Sequence, residues 1–161
     1  MIGSFGSSNT QLSSPINVAV DSSSGAIYIA DSGNHRIMCY QANASSGTVV
    51  AGGNGAGTSN TQLNNPFGLY FDVSSNSLLI GNTDAHNVVR WTLGATHWTL
   101  VAGDISGSPG SSSTQLSRPA GLAVDWMGNL YVADGDNHRI QFFLAGESNG
   151  TTIAGVTATS G

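Results

Sequence analysis

Three histidines stand at matching places in the chain, in Asn34-His35-Arg36, Ala85-His86-Asn87 and Asn137-His138-Arg139. Close by, Asp31 and Arg36 flank one turn and Asp134 and Arg139 another, while the middle copy carries Asn82 and Asn87. Histidine and carboxylate side chains are the material of metal centres and of proton transfer. Their spacing argues for something plainer. One histidine per copy, just after a turn, gives side chains too far apart for a shared tetrahedral site. Hydrogen bonding between strands or between copies is the expected role, and no metal site is expected. The Asp–Arg pairs are expected to bridge their turns. Both charges are kept twice and lost together once, and an Asp that opens a turn is ordinarily satisfied by local backbone N–H groups.

No other motif points to catalysis. There is no nucleophile motif and no paired-carboxylate arrangement, so no catalytic residue is assigned. Gly52-Gly53-Asn54-Gly55 is rich in glycine but opens no helix, which a phosphate cradle requires. Cys39 is the single cysteine, so no internal disulfide can form, and in Ile37-Met38-Cys39-Tyr40 it reads as a buried strand residue. His97 receives no role.

Composition narrows the classes further. Only 8% of the 161 residues are charged, the basic ones are four arginines with no lysine, and the net charge is −5. An acidic chain without a basic face is a poor partner for nucleic acid or for an anionic membrane. No run approaches the apolar length of a membrane span. Met1-Ile2-Gly3-Ser4 shows neither a charged nor an apolar leader region, so no signal peptide is visible. Two sequons, Asn43-Ala44-Ser45 and Asn149-Gly150-Thr151, tilt an otherwise unknown localisation slightly towards the extracellular side.

The elements that position these residues come from a threefold internal repeat. Pro15, Pro66 and Pro119 fall 51 and 53 residues apart, each shortly after a Gln-Leu pair and each opening an apolar run that ends in aspartate or its equivalent. Period-two runs follow, separated by Gly, Ser and Asn clusters. In the first unit they are Ile16 to Val20, Ile27 to Ala30, Arg36 to Tyr40 and Thr48 to Ala51. Nothing repeats with helical spacing. Four short antiparallel strands per unit describe an all-β propeller, with blades at about 15–51, 66–102 and 119–154 and long Gly/Ser-rich links at 52–65 and 103–118. Residues 1–161 thus read as one three-bladed segment. The start of each first strand, at Asn17, Gly68 and Gly121, is expected to line a central channel.

The motif Pro119-Ala120-Gly121 with Asp125, then Leu130-Tyr131-Val132-Ala133-Asp134 and Asn137-His138-Arg139-Ile140, resembles the NHL repeat. The first unit resembles it nearly as well, and the second has drifted. The resemblance implies a β-propeller, usually of six blades, most often an interaction platform. Some members bind RNA, some are extracellular sensor domains, and a related lyase that makes peptide amides holds metal in its channel. Near the axis only Asn17 suits such a metal, so the lyase residues do not carry over.

The resulting expectation is a non-catalytic interaction or scaffold module without a cofactor. Two other readings stand beside it. One is a propeller lyase or hydrolase with Ca²⁺ or Zn²⁺ in the channel; the other is a repeat segment whose only activity is assembly. Three blades cannot close a ring, and an open arc exposes its end blades. The partner expected from sequence is therefore a second copy, placed head to tail in a homodimer of six blades. Its C-terminal segment would meet the partner's N-terminal one.

Overall fold

A computed structural model describes residues 4–155, and the C-terminal stretch expected to begin a further link, 156–161, lies outside them. The described chain forms three separate four-stranded antiparallel sheets. The first unit contains β1 (Pro15–Asp21), β2 (Ala26–Asp31), β3 (Arg36–Tyr40) and β4 (Thr48–Gly52). The second contains β5 (Pro66–Asp72), β6 (Ser77–Asn82), β7 (Asn87–Thr92) and β8 (Thr99–Gly103). The third contains β9 (Pro119–Val124), β10 (Leu130–Asp134), β11 (Arg139–Phe143) and β12 (Thr151–Ala154). Each sheet keeps its strands in sequence order, as a meander must when short turns join consecutive strands. The first strands lie together: β1 packs on β5, and β5 on β9.

Strand alternation gives each sheet two apolar faces, and the faces meet between units. Leu69, Leu78, Ile80 and Trp91 of the second sheet close on Ala19, Tyr28, Ile37 and Ala51 of the first. There Tyr28 and Phe71 stack across the junction, with ring centroids 4.9 Å apart. The opposite face of the second sheet, through Leu79 and Val88, meets Leu130, Val132 and Phe143 of the third. A leucine from each link seals its junction: Leu63 between the first two sheets and Leu116 between the last two, both at 0% exposure. Gly68 belongs to the second junction, because a Cβ there would stand 2.5 Å from the carbonyl oxygen of Ala120.

Among the described residues the two end faces have no such cover. Leu69 is 7% exposed, but its repeat equivalent Val18 is 54% exposed and nearby Val20 is 57% exposed. At the other end Ile140 is half-buried, although its equivalents Ile37 and Val88 are fully buried.

Candidate functional site

The sequence clusters between the second and third strand of each unit fold as 3₁₀ turns, Ser32–Asn34, Thr83–Ala85 and Gly135–Asn137. Each ends on its histidine in the left-handed region, with φ 53° at His35, 54° at His86 and 54° at His138. The histidine N–H closes the turn on the carbonyl three residues back. A branched side chain would resist this φ; histidine is among the residues that tolerate it.

Asp31 and Arg36 meet across their turn, with Arg36 Nε donating to Asp31 Oδ2 at 2.6 Å. The pair is buried, so every polar atom needs a partner. Asp31 Oδ1 accepts the N–H of Ser13 at 2.6 Å, and Oδ2 also accepts Asn34 Nδ2 at 2.8 Å. The guanidinium reaches the carbonyls of Ser7, Ser8 and Gln11. One ion pair therefore pins the incoming link onto its own sheet. Asp134 and Arg139 repeat the arrangement, with Arg139 Nε at 2.7 Å from Asp134 Oδ2 and the guanidinium on Ser111, Ser112 and Gln115.

The second unit keeps half of this. Asn82 Oδ1 still accepts the N–H of Asn64 at 2.6 Å, and Asn87 Nδ2 donates to the Asp104 carbonyl. Asn82 Nδ2 and Asn87 Oδ1 are buried without partners. The carbonyl that an arginine would take, that of Gln62, is taken instead by the indole N–H of Trp98 at 2.9 Å. Nothing in the sequence pattern had singled out Trp98. The available signal was its position: it stands where the other units have Gly47 and Gly150.

The histidines are not brought together. His35 Nδ1 accepts the N–H of Asn65 at 3.0 Å, and His86 Nδ1 accepts that of Arg118 at 3.1 Å. Each reaches from its own unit to the lead-in of the next. Two hydroxyls do the same, Ser32 Oγ bonding the Pro66 carbonyl and Thr83 Oγ1 the Pro119 carbonyl. Among the described residues no group of three His, Cys, Asp or Glu is placed to hold a metal ion. Asn17 folds back on its own backbone, Oδ1 accepting the N–H of Val18. Gly68 faces the third sheet, and a Cβ at Gly121, on the last sheet, would meet only Ala133 Cβ at 3.6 Å. Cys39 is buried, and burial pushes its thiol pKa up, away from reactive thiolate. His97 is exposed at the rim.

Four-stranded meanders set side by side with their first strands together, and tied by one repeated turn, define a segment of a β-propeller. The NHL repeat model matches residues 12–40 and 116–143, so the two units with the Asp–Arg pair carry NHL repeats. Solved structures agree on the fold. A gluconolactonase from Xanthomonas campestris matches at 12% identity and TM-score 0.69, over 91% of this chain and 49% of that one. A protein of unknown function from Bacteroides thetaiotaomicron matches at 18% identity and TM-score 0.67, over 85% and 34%. A virginiamycin B lyase from Staphylococcus aureus matches at 14% identity and TM-score 0.61, over 87% and 41%. The chain thus spans less than half the length of each of these proteins. A search of curated proteins gives no significant match.

Proposed function

We propose that this chain is a non-catalytic propeller module for binding and scaffolding, which completes a six-bladed ring with a second copy joined head to tail. One observation carries the reading. The two buried Asp–Arg pairs and His35 and His86 are committed to holding links and neighbouring units, while the two end faces are apolar and open. Val18 and Val20 present to solvent what the second unit buries at Leu69. Covering a valine fully is worth about 1.5–3 kcal/mol, and the ring covers both ends twice. The matched part of the gluconolactonase, 49% of its chain, fits three blades as half of such a ring. In this reading neither cofactor, nucleic acid nor membrane takes part.

Light scattering at micromolar concentration tests it. The expected mass is twice the chain mass of 16.4 kDa. A folded species of one chain overturns the proposal, and a species of three chains replaces it with a larger ring.

A further inference from the structure

The two internal junctions share two parts and the second adds a third, and each part has an unmatched counterpart at an end face of the described residues. The link leucine is the first. Leu63 fills a hollow on the first unit beside Ile37, Ala51 and Gly52, and Leu116 fills its equivalent on the second, beside Val88 and Ala102. On the third unit the equivalent hollow is empty, with a volume of about 260 Å³ between Ala133, His138, Ile140, Ala154 and Gly155. The corresponding leucine of the first unit, Leu12, lies half-buried in an open apolar groove with Ile16, Val18 and Ile29.

The histidine is the second part. His35 and His86 each accept a backbone N–H from the residue before the next unit's proline, Asn65 or Arg118. Those donors have φ of 52° and 51°, and Ser14, the residue before Pro15, has φ 47°. Ser14 therefore already has the shape that presents its N–H to such a histidine. His138 has the same backbone geometry as the other two and, among the described residues, makes no side-chain hydrogen bond that parallels theirs.

The third part is close approach at the first strand. Gly68 has no room for a Cβ because the Ala120 carbonyl and the Leu122 side chain press on it. Gly121 occupies the same place on the third unit, yet a Cβ there would meet only Ala133 Cβ, at 3.6 Å. Among the described residues nothing else approaches it.

We infer that the third unit of one copy receives the first unit of another: Leu12 enters the hollow beside Ile140 and Ala154, His138 Nδ1 accepts the Ser14 N–H, and Gly121 packs against the Ile16 carbonyl. This rests on the ring reading and assigns its contacts. The seam differs from the internal junctions in one bond. Gly135 stands where Ser32 and Thr83 supply a hydroxyl to the next proline carbonyl, so the seam is the weaker joint.

Leu12→Asp and Gly121→Leu test the assignment by light scattering, with circular dichroism to check the fold. Each ring holds the seam twice, so each variant is expected to weaken dimerisation by roughly 1,000-fold and run at the mass of one chain while keeping its β spectrum. If Leu12→Asp does not fold, Gly121→Leu decides, since a Cβ there meets only Ala133 Cβ, at ordinary contact distance. A folded variant that keeps the two-chain mass of the parent overturns the seam and leaves the dimer standing. A parent that itself runs as one chain overturns the ring reading instead.

Discussion

The indole N–H of Trp98 donates to the backbone carbonyl of Gln62 at 2.9 Å, the acceptor that Arg36 and Arg139 take, as Gln11 and Gln115, in the other units. Losing the ion pair of the second unit is thus accompanied by a new donor from a different strand. The exchange is local to that unit. A Cβ at Gly47 would stand 2.5 Å from the ring of Tyr40, and one at Gly150 would stand 2.7 Å from the ring of Phe143. Neither can accept a tryptophan while the aromatic residue stays where it is.

Trp98→Phe removes the donor and keeps a ring in the buried site. The Gln62 carbonyl then loses its bond, which costs about 1–3 kcal/mol in urea unfolding. Trp98→Ala also empties the site and costs about 3–5 kcal/mol. Equal losses for the two variants would show that the ring alone matters.

Arg139→Met leaves Asp134, at 0% exposure, without its cation. Stranding a buried carboxylate costs about 3–5 kcal/mol. The double variant Asp134→Asn with Arg139→Met removes the stranded charge and should recover part of that loss. Urea unfolding of the single and double variants at one protein concentration measures the difference. No recovery would mean that the guanidinium bonds to Ser111, Ser112 and Gln115, rather than the charge, dominate.

His86→Ala and His138→Ala should behave differently. His86 bonds Arg118 within the chain, so its loss lowers stability by about 1–3 kcal/mol at any concentration. His138 has its proposed partner on a second copy, so its loss should shift melting only where the dimer is populated. Thermal melting over a hundredfold range of protein concentration separates the two.

Asp72 provides a pH dependence. Burial acts to raise its pKa, but hydrogen bonds from Ser74 and Ser75 and the Arg90 guanidinium outweigh it, and the net shift is downward. A carboxyl with a lowered folded pKa gives stability that is present above its unfolded value, near 3.8, and is lost as pH falls through the folded value. Asp72→Asn should therefore destabilise the fold at pH 7 by on the order of 1 kcal/mol once solvent screening of this partly exposed pair is allowed for, seen as a lower melting temperature. The gap to the parent should begin to narrow below about pH 4, near the unfolded value, and close only as pH falls through the folded one. Asp21, lowered to about 2 by the Ser23 and Ser24 hydroxyls, should show the same trend. A gap unchanged down to pH 2 would contradict the assignment.

The sheets were legible in the sequence because their causes are local. Period-two apolar runs, Gly and Asn turns and the 51- and 53-residue spacing of the prolines act over a few residues at a time. They delimit the four strands of the first unit to within a residue at each end. Asp31 and Arg36 are five residues apart on one hairpin, so a bridge between them can be read from the repeat. The 3₁₀ turn and the left-handed histidine are just as local but leave no hydrophobic pattern, and were not foreseen.

What only the tertiary structure decided is every relation between units. Trp98 and Gln62 are 36 residues apart, His35 and Asn65 30 apart, and no periodicity ties such positions together. Asn82 and Asn87 look in the sequence like a harmless pair of substitutions; in the fold they leave a buried donor and a buried acceptor unpaired. Gly121 looks like Gly68 until the space beside each is compared. Hydrogen bonding along a strand is set by its neighbours in the chain. Which side chain reaches a carbonyl on the next sheet, and which face stays open, depends on how whole sheets stack.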